Sequence, residues 1–146
     1  MRLRVALQRH DSAASPTAND LFALLREKQQ HATERLFRLL GLRESSRDLY
    51  PLYEGLQRAD PRSRDASRQI LAHTLDHELR ETLLVLVDEL EEMDKLSRLG
   101  ASASIPSLRD ALEELRADRS EAVRLIAGRR HSELVEAKEE TPSALT

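Results

Sequence analysis

Leu56-Gln-Arg-Ala-Asp-Pro-Arg-Ser-Arg-Asp-Ala-Ser-Arg-Gln-Ile70 and Leu112-Glu-Glu-Leu-Arg-Ala-Asp-Arg-Ser-Glu-Ala-Val-Arg-Leu-Ile126 decide the fold. Each joins a short amphipathic segment to a second one through an Arg-Ala-Asp turn, Arg58 to Asp60 and Arg116 to Asp118. Each then carries an Arg early in the following helix (Arg64, Arg124) and an Ala and an Ile on its expected buried side. Asp60 is a ready N-cap, because its carboxylate takes up amides that a helix start leaves without partners. Pro61 suits the first helical position, where no intrahelical N–H is needed. A hairpin of two helices cannot bury its apolar face alone, so its recurrence about 58 residues later is the mark of an α-solenoid.

Working outward, the apolar spacing predicts helices almost everywhere. Leu21, Leu25, Ala32, Leu36, Leu39 and Leu40 share a face that starts at Asn19 or Asp20 and closes at Gly41. Ser46 is placed to cap a short helix carrying Leu49, Leu52, Tyr53 and Leu56, with Pro51 tolerated in its first turn. The helix after Asp60-Pro61 is expected to bury Ala66, Ile70 and Thr74. Asp76 caps the next, with Leu79, Leu83, Leu86, Val87 and Leu90 as its stripe, and a shorter piece around Met93, Leu96 and Leu99 ends at Gly100. Ile105-Pro106-Ser107 opens a helix with Leu108, Ala111, Leu112 and Leu115 on one face. Asp118 or Ser120 caps the last, which carries Val123, Ile126, Ala127 and Leu134. No alternating strand pattern and no Asn-Gly or Asp-Gly hairpin signal occurs, which makes the chain all-α, with about six helices. The expected organisation is a flexible segment over 1–17, one helical domain over 18–137 and a disordered tail over 138–146.

Composition limits the chemistry. The 146 residues suffice for one domain with a core of its own. Aromatic residues are only 3%, so that core is built of Leu, Ala, Ile and Val. With no cysteine, disulfides, thiolate zinc sites and Cys nucleophiles are excluded. Four glycines cannot assemble a phosphate-cradling loop, and no serine sits in a nucleophile-elbow setting. His73 and His77 have the i, i+4 spacing of two metal ligands, but Asp76 as a cap puts them on different helices. The acidic run from Asp88 to Asp94 lacks the glycine and ligand spacing of a calcium loop. No catalytic residues, cofactor or metal site are expected, and the chain reads as a non-enzyme. No apolar run spans a bilayer.

The turn motifs resemble those of the HEAT-repeat family, whose repeats commonly read Leu-x-x-Leu-x-Asp-Pro-x-x-x-Val-Arg-x-x-Ala. Asp118 with Val123-Arg124 follows that pattern with Arg119 in place of the usual Pro, and Asp60-Pro61 with Arg64 resembles it at a shorter spacing, with Ser63 before the Arg where the family has Val. A more particular likeness covers residues 20 to about 134. Glu34-Arg-Leu-Phe-Arg-Leu-Leu-Gly-Leu42, Tyr50 to Tyr53, Gly55-Leu56, Asp60-Pro61-Arg62 and Glu78-Leu79-Arg80 resemble the HEAT-type region that follows the membrane part of bacterial nucleotide-translocase-like transporters. No membrane part is in this sequence, so transport does not carry over. The resemblance implies a right-handed α-solenoid acting as a cytoplasmic scaffold that binds another protein or a neighbouring domain. It also implies structural pairs in which the second-helix Arg reaches the turn Asp, Asp60 with Arg64 and Asp118 with Arg124. If the second helices line a concave surface, as in regular HEAT arrays, Arg62, Arg68, His73, Arg129, Arg130 and His131 form its contact stripe. Tyr50, off the apolar stripe at a helix edge, is a further contact candidate.

Two other classes compete. A helical bundle that binds a small ligand, as a sensor or enzyme, needs an apolar pocket with convergent polar groups, and no such motif stands out. A HEAT-like nucleic-acid binder needs net positive charge at the contact. Residues 1–75 carry 13 Lys and Arg against 9 Asp and Glu, whereas residues 76–146 carry 10 against 17, which argues against phosphate binding by the second half. The same asymmetry reads first as two differently solvated faces, and second as a surface for a charged partner or for end-to-end association into a homodimer.

Overall fold

A computed structural model of the chain describes residues 1–10, 15–43, 48–101 and 105–139. Among them are eight helices and no strand: α1 (Arg2–His10), α2 (Pro16–Arg43), α3 (Tyr50–Gln57), α4 (Pro61–Thr74), α5 (His77–Val87), α6 (Glu92–Arg98), α7 (Leu108–Arg116) and α8 (Glu121–Glu139). The protein is all-α, as the apolar spacing predicts. The helices fall into two compact units. One comprises Met1–Glu27 with Ala101–Thr146, the other Lys28–Gly100.

In the first unit α1 packs on α7, and α7 on α8. Leu7, Leu21, Leu112, Leu115, Val123 and Ala127 form its core, with Leu3, Leu24, Leu25, Leu108, Ile126 and Leu134 at the edges. Every one of these residues is aliphatic. The N-terminal segment joins this core through α1. Val5, Ala6 and Leu7 of α1 are all buried, and Arg2 grips Glu114 of α7 with two bonds of 3.0 Å. Packing against α7 and the start of α2, where the Arg4 guanidinium lies 5.3 Å from the Phe22 ring centroid, holds nine residues as a helix that would be marginal alone. The second helix starts a turn before the expected cap, because Ser15-Pro16 is itself a start: the Asn19 amide donates to the Ser15 carbonyl at 3.1 Å. Ser107 caps α7, its hydroxyl oxygen accepting from the Asp110 amide at 3.2 Å and its O–H donating to the Asp110 carboxylate at 2.6 Å. Ala111, Leu112 and Leu115 are buried, as their spacing predicts. The linker at 11–14 and the end of the chain from 140 lie outside the described residues; α8 itself runs through Lys138 and Glu139.

In the second unit α3 packs on α4, α4 on α5, and α5 on α6. Its core joins Phe37, Leu40, Leu49, Tyr53, Leu56, Leu71, Leu75 and Leu83. Phe37 and Tyr53 rings tilt against each other with centroids 5.3 Å apart, a favourable aromatic geometry. The caps at Asp60 and Asp76 are as expected: Asp60 accepts from the Arg62 and Ser63 amides, Asp76 from that of Leu79. The expected Ser46 cap lies outside the described residues, and α2 continues past Gly41 to Arg43.

The buried face of α4 is turned one residue from expectation. Ser67 and Leu71 are buried, whereas Ala66 is exposed and Ile70 is 46% exposed. The cause is Gly55 on α3. A Cβ there would stand 2.1 Å from Ser67 Oγ and 3.3 Å from Ser67 Cβ, so the two helices meet through a missing side chain and a small one. That close approach brings Ser67 and Leu71 inward and leaves Ile70, the residue before Leu71, about 100° away from it round the helix.

The charge asymmetry between the chain's halves also dissolves in the fold. Because the first unit draws on both ends, it holds 11 Lys and Arg against 12 Asp and Glu, and the second 12 against 14.

Candidate partner-binding groove

An open groove of about 510 Å³ runs along α4 in the second unit. The end of α3 contributes Leu56 and Gln57; α4 contributes Pro61, Arg64, Asp65 and Arg68; the end of α5 contributes Val87, and the chain leaving it Asp88, Glu89 and Leu90. Local chemistry positions each part. Capping by Asp60 sets where α4 begins, and the Ser63 hydroxyl and amide hold the Asp60 carboxyl below its usual range. Arg64 and Arg68 then fall one turn apart on the same side of the helix. After α5 the backbone at Asp88 is extended (φ −63°, ψ 152°), so consecutive carboxylates are presented along α4. Arg68 donates to Asp88, and Arg64 lies 3.5 Å from Glu89. Leu56, Val87 and Leu90 give the groove an apolar component beside those charges.

Of the expected contact stripe, Arg62 and His73 are exposed, the His73 ring N–H donating to the Gln69 carbonyl at 2.7 Å. Arg68 is in the groove, but neutralised by Asp88. Arg129, Arg130 and His131 belong to the other unit. Arg130 is not a surface residue: it is 4% exposed and bound to Glu133 at 2.9 Å. Glu133 also accepts from Thr17 at 2.6 Å and Ser15 at 2.9 Å, so it ties the start of α2 to α8. These hydrogen bonds, that from Thr17 first, hold its carboxyl below the usual range. Arg129 is largely exposed, 3.7 Å from Glu133, and half-buried His131 lies 3.9 Å from Glu113 on α7. Tyr50 is half-buried against the second core, with the Arg38 guanidinium 4.1 Å above its ring.

The expected hairpin pairs take different forms. Arg64 turns from Asp60 toward Glu89, since the Asp60 oxygens are engaged in capping. Arg124 does reach its turn, where its guanidinium donates to the carbonyls of Asp118 at 2.9 Å and Arg119 at 3.1 Å. Lys95 carries no signal in the sequence, yet it is buried and donates to the Leu86 carbonyl at 3.3 Å, satisfying the end of α5. His73 and His77 fall on α4 and α5, and among the described residues no three His, Asp or Glu side chains gather as a metal site. None of the described helices is long and apolar enough to cross a membrane. No family model, curated protein or solved structure matches the chain.

Proposed function

We propose that the chain is a non-catalytic helical-repeat module of HEAT-like, right-handed solenoid type, which binds another protein in the bacterial cytoplasm. The groove along α4 carries this reading. It is open and partly apolar, and it is bounded by charged side chains that an incoming chain can meet without unfolding anything. The hairpins α3–α4 and α7–α8, each started by a capped turn, support the repeat assignment. Binding of this kind works by shape and charge complementarity, with a few central residues dominating affinity.

A photo-activated cross-linking residue at Gln57, which lines the groove, tests it in growing cells. The expected result is one defined protein adduct, absent when the same residue is placed at exposed Glu136 on α8. Adducts that are equally diffuse at both positions would sink the reading.

A further inference from the structure

Resting on the groove as a protein-binding site, we infer that its occupant is a basic, apolar peptide segment: a Leu-like side chain flanked by Arg or Lys. The groove's charges do not cancel. Its lining holds three carboxylates, Asp65, Asp88 and Glu89, against two guanidiniums, Arg64 and Arg68. Both guanidiniums face carboxylates already, Arg68 on Asp88 and Arg64 beside Glu89. The surplus is therefore negative, and it lies at the rim. Asp65 is exposed and enters no ion pair with any described residue. Glu89 is 92% exposed and meets Arg64 only at 3.5 Å, longer than a charged hydrogen bond. Leu56, Val87 and Leu90 line the same groove. Cationic side chains on the rim carboxylates, with an apolar one against these three, match this set of groups. An acidic segment meets the opposite situation, because each arginine has to leave a carboxylate before it can bind another.

The surface expected from sequence was basic, so the geometry reverses the partner's charge. Exposed ion pairs of this kind are individually weak, and losing two of them lowers affinity by about two- to thirtyfold.

Fluorescence anisotropy on the full chain tests this with a labelled twelve-residue peptide of alternating Leu and Arg, and with its Leu and Glu counterpart. The Arg peptide should bind the wild type and weaken about tenfold against Asp65→Asn/Glu89→Gln. It should be unaffected by Glu121→Gln/Glu136→Gln on α8, a control for unspecific attraction. Circular dichroism confirms that both variants keep their helices. Equal weakening by the two double variants would overturn the site. Tighter binding of the Glu peptide, lost in Arg64→Gln, would overturn the assigned charge while leaving the groove as a docking site. Failure of both peptides to bind would overturn the partner chemistry, and the cross-linking result at Gln57 then stands or falls by itself.

Discussion

The hairpins α3–α4 and α7–α8 share a sequence motif and solve helix packing in different ways. In α3–α4 the helices close through the Gly55–Ser67 notch, and the adjoining core is aromatic, with Phe37 stacked on Tyr53. In α7–α8 the interface is aliphatic, Leu112 and Leu115 against Val123 and Ala127, and no comparable notch exists at Gly128. The polar side differs as well. On α4 the arginines turn toward an exposed groove, whereas on α8 Arg130 is buried beneath Glu133. A shared turn fixes how two helices are joined; the side chains that meet across them decide how closely they lie and what the free face presents.

The comparison breaks most severely at the core. Leu71 and Leu112 are both fully buried, one in each unit, and truncation to Ala should cost about 2–5 kcal/mol in either case. Chemical denaturation measures the loss. Amide hydrogen exchange should then rise mainly in Lys28–Gly100 for Leu71→Ala, and mainly in Met1–Glu27 with Ala101–Thr146 for Leu112→Ala. Uniform acceleration from either variant would show that the two cores open as one.

The next effect concerns the first unit alone. Glu133 accepts from Ser15, Thr17 and Arg130, and Gln offers only one oxygen in place of two. Glu133→Gln should cost about 2 kcal/mol, since it removes the charge that strengthens the hydrogen bonds from Thr17, Ser15 and Arg130. The acid dependence follows from the lowered carboxyl. Its contribution is complete above the ordinary value of 4.5 and is lost as pH falls through the depressed folded value. Denaturation midpoints of wild type and variant should therefore converge on acidification below about pH 4.5; a constant gap would assign the loss to packing instead of charge.

What the sequence made legible is what chemistry decides within a few residues. Asp60-Pro61, Asp76 and Ser107 announce their helix starts because the cap and the amides it takes up lie within three positions. The face of α7 was legible because four aliphatic residues fall at helical spacing. On α4 the same reasoning chose Ile70 over Ser67, since apolarity outranks size when the partner surface is unseen, and the partner surface was Gly55. Long-range contacts account for the rest. The partner of α1 is α7, more than 100 residues on, and Thr17 meets Glu133 at a separation of 116. The groove depends on Asp88 returning to Arg68 across 20 residues, which turns that member of the expected basic stripe into paired charge.

A moderate effect sharpens the notch. Gly55→Ala gains helix propensity of about 1 kcal/mol but drives a methyl group into Ser67. The clash should prevail, with a net loss of about 1–2 kcal/mol in thermal unfolding. Adding Ser67→Ala removes the oxygen at 2.1 Å and should recover most of that loss. No recovery would mean that the Cβ contact at 3.3 Å, rather than the hydroxyl, sets the helix separation.

The smallest effect has the opposite sign. Gly128 lies within α8 at an ordinary helical position, and a Cβ placed there meets nothing within 4 Å. The only terms left are the backbone freedom that Gly adds to the unfolded chain and its poor helix propensity, both of which favour Ala. Gly128→Ala should raise stability by about 0.5–1 kcal/mol, the same substitution that destabilises at Gly55. Unfolding of both variants under identical conditions gives two shifts of opposite direction. A loss at Gly128 would show that its bare backbone is in contact with something that the folded monomer does not contain, and a second copy of the chain is then the first occupant to test by sedimentation.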